Sequence, residues 1–114
     1  MTTVQMKTYG AFYPCTQEQY DALTHLQQYA MGNDEPWLLF EGDMIRVSFE
    51  GVYFPEDDFI EAITPMLTAN HTGKLDVIDM DSWAITRYVW DAGQWKKGQR
   101  GLNDVLDYSC QKGK

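Results

Sequence analysis

The sequence is poor in the residues from which disulfide frameworks and active sites are built. It has two cysteines and two histidines in 114 residues. Small secreted domains held by disulfides usually carry more cysteines, so Cys15 and Cys110 are expected to be unpaired thiols in a reducing compartment. Because no His-x-His or His-Glu-x-x-His spacing occurs, a zinc site is not indicated. We predict no catalytic residue, metal or cofactor.

The sequence also offers no segment typical of membrane insertion or export. The first seven residues (MTTVQMK) have neither a basic region nor an apolar stretch, unlike a signal peptide. The longest apolar run has only a few residues, whereas a spanning helix needs about 20. We therefore expect a soluble, cytoplasmic protein that does not contact a membrane.

Basic residues are scarce, and the acidic ones are unevenly distributed. Nine Lys and Arg stand against 17 Asp and Glu, which gives a net charge of −8 and disfavours direct binding to nucleic acid. Residues 34–81 hold twelve acids against Arg46 and Lys74, a net of −10, whereas residues 83–114 hold six bases against three acids, a net of +3. The charge layout is the most informative feature of the sequence.

What is present predicts one α+β domain over residues 1–114. The chain is 44% hydrophobic and 14% aromatic, enough for a single core. Hydrophobic periodicity predicts a strand at 4–13, a helix from 16 to about 31, a hairpin at 37–50, a helix from 55, strands at 74–79 and 82–91, and a short helix at 102–108. This order, β-α-β-β-α-β-β, is typical of a ferredoxin-like α/β sandwich with an antiparallel sheet and one added strand.

Four local signals support the assignment of the two helices. Thr16 and Gln19 form a capping box that starts the first helix, and Gly32 supplies its left-handed stop. Pro55 suits the first position of the second helix, in which Pro65 predicts a kink or a break.

The hairpin has the sharpest prediction of register. Gly42 and Asp43 form a two-residue type II′ turn, which pairs Phe40 with Ile45 and Leu38 with Val47. These four residues and Phe49 share one apolar face. The opposite face is predicted to carry Trp37, Leu39, Met44, Arg46 and Ser48.

Three motifs allow chemistry but favour a structural explanation. Cys15 precedes a helix start, where the dipole could lower a thiol pKa, but a half-buried structural thiol is the simpler interpretation. Asp79 and Asp81 could hold a divalent cation, although such pairs are common in turns. The segment 98–101 could touch an anion, but it lacks the lysine and hydroxyl of a P-loop, so a solvated turn is favoured.

Aromatic residues suggest a second interface on the sheet. Tyr88 and Trp90 alternate on the last predicted strand, while Trp37 and Arg46 share a face of the hairpin. Such a surface could stack RNA bases or form a homodimer. No segment matches the basic and aromatic RNP1 pattern, which argues against RNA.

Acidic residues cluster around the start of the second helix. The predicted partner-binding residues are Glu50, Glu56, Asp57, Asp58, Glu61, Asp79 and Asp81. One interpretation is a solvated face that complements the helix dipole. The other is a docking surface for a basic protein.

Three classes of function follow. The first is an inhibitor that occupies the basic groove of a nuclease or another nucleic-acid-handling protein, as phage or plasmid anti-defence proteins (anti-CRISPR type) and toxin-immunity proteins do. The second is a small-ligand-binding or regulatory dimer that uses the aromatic sheet face. The third, an enzyme, is the least supported by the residues present.

Overall fold

The computed structural model describes residues 4–33 and 35–101, which form a six-stranded antiparallel sheet with short helices on one face. The elements are β1 (Met6–Tyr13), α1 (Gln17–Leu23), the 3-10 helix η1 (Thr24–Tyr29), β2 (Leu38–Glu41), β3 (Met44–Gly51), α2 (Glu56–Ile63), the 3-10 helix η2 (Thr64–Met66), β4 (Thr72–Asp79), β5 (Ala84–Asp91) and β6 (Gln94–Gly101). The strand order is β2-β3-β1-β4-β5-β6. The α+β class is confirmed, and the predicted helix at 102–108 lies outside the described residues.

The sheet has one strand more than predicted. Residues 98–101, predicted as a solvated turn, belong to β6. Ala92 and Gly93 have φ values of +53° and +82°, as a type I′ turn requires. This turn folds the chain back so that Trp95 pairs with Trp90, and the sheet gains an edge strand.

The register predicted for the hairpin is confirmed. Phe40 pairs with Ile45 and Leu38 with Val47, and Gly42 has a φ of +63°, as the first central residue of a type II′ turn needs. Trp37 is the exception. It precedes β2, so strand alternation does not apply to it, and its ring lies in the core rather than on the opposite face.

The first helix begins where the sequence indicates, the second begins one residue later with Pro55 at its N-cap, and both are shorter than predicted. The capping box is present, because Thr16 Oγ1 accepts from the Gln19 backbone N–H at 3.2 Å and Gln19 Oε1 accepts from the Thr16 backbone N–H at 2.9 Å. The α-helix ends at Leu23 and continues as η1, instead of running to residue 31. Gly32 has the predicted left-handed conformation, but it does not end the helix, because η1 stops at Tyr29 and Ala30 is already extended. Pro65 lies in η2, directly after α2 ends, so the predicted break is confirmed.

The core lies between the sheet and these helices, which we call the helix layer (α1, η1, α2 and η2). The Trp37 ring lies 5.0 Å from the Phe54 ring and 6.4 Å from the Phe59 ring, centroid to centroid. Phe12 of β1 meets Phe59 of α2 at 5.9 Å. Aromatic packing therefore joins α2 to the centre of the sheet.

No helix of the described residues covers the other side of the sheet, which we call the open face. Strand alternation and exposure place mainly polar side chains there, among them Lys7, Tyr9, Glu41, Arg46, Ser48, Glu50, Lys74, Asp76, Arg87, Asp91 and Lys96. Within 4–33 and 35–101, no helix is long and apolar enough to cross a membrane.

Candidate functional site

Four of the predicted acidic residues lie together on α2, and we call them the acidic cluster: Glu56, Asp57, Asp58 and Glu61. The first three occupy the first turn of the helix, where carboxylates favour the positive end of the dipole. Asp57, Asp58 and Glu61 are exposed. No lysine or arginine occurs in the sequence of α1, η1, α2 or η2.

Glu56 differs from the other three because it is tied to the sheet. It is half-buried and accepts a hydrogen bond from the Tyr88 hydroxyl. Burial, this hydrogen bond and the Glu56 charge raise the pKa of Tyr88. The Lys97 ammonium lies 5.2 Å from the centroid of the Tyr88 ring. Glu56 therefore fastens α2 to β5, and the freely exposed acids of the cluster are Asp57, Asp58 and Glu61.

Glu50 is not part of this surface. Its side chain lies on the open face, where it accepts a hydrogen bond of 2.5 Å from the Tyr9 hydroxyl. Burial, followed by the hydrogen bond and the charge of Glu50, raises the pKa of Tyr9 to about 12. The sheet separates Glu50 from α2, so the predicted acidic surface is not continuous.

Asp79 and Asp81 form a turn between β4 and β5. Asp79 Oδ1 accepts from the backbone N–H of Asp81 at 2.9 Å and from that of Ser82 at 3.2 Å. This is the structural role that aspartate often takes in turns. Among residues 4–33 and 35–101, no group of three or more His, Cys, Asp or Glu side chains could hold a metal ion.

The predicted aromatic interface is not a surface. Trp37, Tyr88 and Trp90 are only 1%, 5% and 6% exposed, because the helix layer and β6 cover them. The Trp95 ring of β6 lies 5.1 Å from the Trp90 ring. Of the four residues predicted there, only Arg46 is exposed, and the three rings belong to the core.

Cys15 is a structural thiol. It is buried, and its Sγ lies 3.4 Å from the Phe12 carbonyl oxygen, to which it donates. Burial raises the pKa of the Cys15 thiol, which opposes the thiolate that a nucleophile needs. Cys110 lies outside the described residues.

A groove that the sequence did not reveal runs between η1 and α2. This depression of about 530 Å³ is lined by His25, Leu26, Tyr29, Asp58, Glu61 and Ala62. The rings of His25 and Tyr29 meet edge to face, with centroids 6.2 Å apart. Asp58 and Glu61 thus border a groove with aromatic walls. The spacing of four residues between His25 and Tyr29 was the available signal, because it places both on one side of a helical segment.

Within the part of the chain that the structure describes, the ion pairs lie on the open face. The three that the described residues form are Arg46–Glu41 at 2.9 Å, Arg87–Asp76 at 2.7 Å and Lys96–Asp91 at 3.2 Å. The helix layer carries six acids, Glu18, Asp21, Glu56, Asp57, Asp58 and Glu61, and no Lys or Arg. Its negative charge is therefore not neutralised by bases within that layer.

Comparison of the chain with protein-family models, with curated proteins and with solved structures finds no match. The function therefore has to be argued from the geometry and charge of the molecule.

Proposed function

We propose that the chain is a small acidic protein-binding domain that acts by docking α2 into a basic groove of a nucleic-acid-handling protein. Such proteins line their phosphate-binding channels with Lys and Arg. A carboxylate-rich helix would occupy the channel in place of nucleic acid and inhibit the partner. Anti-defence proteins of phages and plasmids, including the anti-CRISPR type, and toxin-immunity proteins work in this manner. The role is one of binding, without catalysis or direct contact with nucleic acid.

The observation that carries this proposal is that Asp57, Asp58 and Glu61 are exposed and that, within residues 4–33 and 35–101, none of them is in an ion pair. Dipole complementation accounts for Asp57 and Asp58 in the first turn, but the effect fades beyond that turn and does not account for Glu61. Unneutralised charge of one sign opposes the compact state. The same charge accelerates encounter with a partner of opposite sign. Docking to a basic partner therefore accounts for the exposed position of Glu61, Asp57 and Asp58 better than the stability of the fold does.

The alternative function, a regulatory dimer, depended on an exposed aromatic face of the sheet. Trp37, Tyr88 and Trp90 are buried and cannot form that face. On the open face, the other candidate surface for a homodimer, the acids Glu41, Asp76 and Asp91 are already held in ion pairs. The docking proposal is the better supported of the two.

We also propose the ferredoxin-like arrangement for the first four strands, and the cytoplasm as the compartment. The order β2-β3-β1-β4, with helices after β1 and after β3, supports the first proposal, with β5 and β6 extending the sheet beyond β4. The low cysteine content and the buried Cys15 thiol support the second.

The test compares equal changes of charge on the two faces. One variant carries Asp57→Lys, Asp58→Lys and Glu61→Lys, and the control carries Glu41→Lys, Glu50→Lys and Asp91→Lys. Each replacement adds +2, so both variants move from −8 to −2. A partner captured from the native host is then titrated with each variant, alone and against nucleic acid.

The α2 variant is expected to lose affinity by orders of magnitude, mostly in the association rate, while the control changes by a few-fold. Lysines at a helix start also cost about 0.3–1 kcal/mol each, so circular dichroism and melting must first show that the variant is folded. Equal losses in both variants would mean that only total charge matters. Unchanged binding by a folded α2 variant would reject the proposal.

A further inference from the structure

Three large apolar side chains are exposed at the end of η1 and before the start of α2. Tyr29, Met31 and Tyr53 are 48%, 61% and 47% exposed. Met31 and Tyr53 lie opposite each other in an isolated antiparallel bridge, with N–H to O=C hydrogen bonds of 2.9 Å and 3.1 Å in the two directions. Grouped apolar side chains on a surface mark interaction sites, and Tyr and Met are enriched at the centres of protein interfaces.

The position of this group links it to the groove. Tyr29 is the last residue of η1 and lines the groove together with Asp58 and Glu61. Met31 follows two residues later, and its bridge to Tyr53 ties the end of η1 to the segment that enters α2. Tyr29 therefore borders the groove itself, and the bridged pair Met31 and Tyr53 lies where the chain leaves η1 and where it approaches α2.

This region is held by close backbone contacts. A Cβ at Gly51 would lie 2.8 Å from the Met31 carbonyl oxygen. Gly32 has a φ of +86°, and a Cβ there would lie 2.7 Å from the Val52 backbone N. Only glycine permits both approaches. A surface held in this way loses little conformational entropy on binding.

We infer that Tyr29, Met31 and Tyr53 form the apolar centre of the docking surface, and that the groove receives an arginine side chain of the partner protein. The inference rests on the proposed function. A guanidinium stacks on aromatic rings and pairs with carboxylates through its fork of donors. The groove offers both, the rings of His25 and Tyr29 and the carboxylates of Asp58 and Glu61, one helical turn apart. A metal ion would leave the apolar side chains without a role, and a phosphate would be repelled.

The probe is the acetylated and amidated hexapeptide of arginine, compared with that of lysine at 0.15 M salt and followed by NMR. The arginine peptide should shift the amides of His25, Tyr29, Asp58 and Glu61 and bind about 2–5-fold tighter than the lysine peptide, the size of a cation–π contribution. Shifts centred on Glu18 and Asp21 instead, equal affinities, or no binding of either peptide at millimolar concentration would overturn the inference.

Variants separate this inference from the proposed function. Tyr29→Ala with Tyr53→Ala should abolish the preference for arginine, whereas Tyr13→Ala should not, because Tyr13 is similarly exposed (44%) but lies at the end of β1 on the open face. If the tyrosine variant keeps the preference for the arginine peptide while the α2 charge variant no longer binds the partner protein, the inference is wrong and the proposed function stands. If the α2 charge variant also binds the partner protein with normal affinity, both the inference and the proposed function are wrong.

Discussion

The two sides of the sheet treat negative charge differently. Each of the four acids on the open face has a partner, three of them in ion pairs and Glu50 with the Tyr9 hydroxyl. In the helix layer only Glu56 and Asp21 accept a hydrogen bond from a described side chain, and neither donor is a base. The acids of the open face stabilise the sheet through their side-chain pairs, so the fold alone accounts for them. The fold does not account for the exposed acids of the helix layer in this way. We therefore place the candidate binding surface on that layer.

The largest effect should come from placing a charge on the core side of the sheet. Ile45 is fully buried and Ser48 is exposed on the same strand. Ile45→Asp should lower the free energy of unfolding by about 4 kcal/mol or more, because it buries an unpaired carboxylate. Ser48→Asp should stay within about 0.5 kcal/mol. Urea unfolding of both variants measures the contrast, and equal costs would show that the two faces are wrongly assigned.

Adding a single methyl group should distinguish the covered part of the sheet from its free edge. A Cβ at Gly73 would lie 2.1 Å from the buried Phe12 ring, whereas a Cβ at Gly98 meets nothing within 4 Å. Gly73→Ala should therefore destabilise the protein by about 1–3 kcal/mol through overpacking. Gly98→Ala should be neutral within about 0.5 kcal/mol. Thermal melting checks both, and a tolerated Gly73→Ala would mean that Phe12 is loosely held.

A smaller effect compares two equivalent hydrogen bonds, one on each face. The Tyr88 hydroxyl donates to Glu56 under the helix layer, and the Tyr9 hydroxyl donates to Glu50 on the open face. Tyr88→Phe should cost about 1–2 kcal/mol, because it leaves a half-buried carboxylate without its donor. Tyr9→Phe should cost less than about 0.5 kcal/mol, since water replaces the lost donor. Denaturant midpoints at pH 7 give the comparison, which a larger loss at Tyr9 would contradict.

Tyr9 and Tyr88 should also make the stability of the fold decrease slightly at alkaline pH. The pKa of each is raised in the folded state, to about 12 for Tyr9, so folding favours the neutral phenol. Their contribution to stability is complete below pH 10, the ordinary pKa of tyrosine. It is lost as the pH rises from about 10 through the folded-state values. Stability should fall over this range, and less steeply in Tyr88→Phe. Tyrosine absorbance and denaturant melts follow it, and identical slopes would remove Tyr88 from the explanation.

The hairpin was predictable because two independent signals agree on it. The Gly42 turn and the alternation of Ile45 and Val47 both specify one register. β6 (Gln94–Gly101) was missed because its sequence, QWKKGQRG, has little strand propensity and no apolar alternation. Tertiary contacts such as Trp90–Trp95 hold it in the sheet, and propensity gives way to such context. The Ala92-Gly93 turn was its only local signal.

The candidate site was predictable in composition but not in shape. The sequence shows that Glu50 and Glu56 are close in the chain, yet only the pairing of β3 reveals that they lie on opposite sides of the sheet. Trp37 was misplaced because alternation was extended one residue beyond the start of β2. The groove depends on how η1 meets α2, which is a long-range contact that local patterns do not encode.

The central place of β1 has a consequence for the newly made chain. Met6 pairs with Gly51 on one side and with Asp79 on the other, so β1 leaves the ribosome before either of the strands with which it pairs. At about 5–20 residues per second, the 28 residues between those two partners take roughly 1–6 s to appear. During that interval one edge of β1 has no neighbour, and an unpaired edge is where nascent chains aggregate. Translation speed across α2 and β4 should therefore influence how much protein reaches the native state.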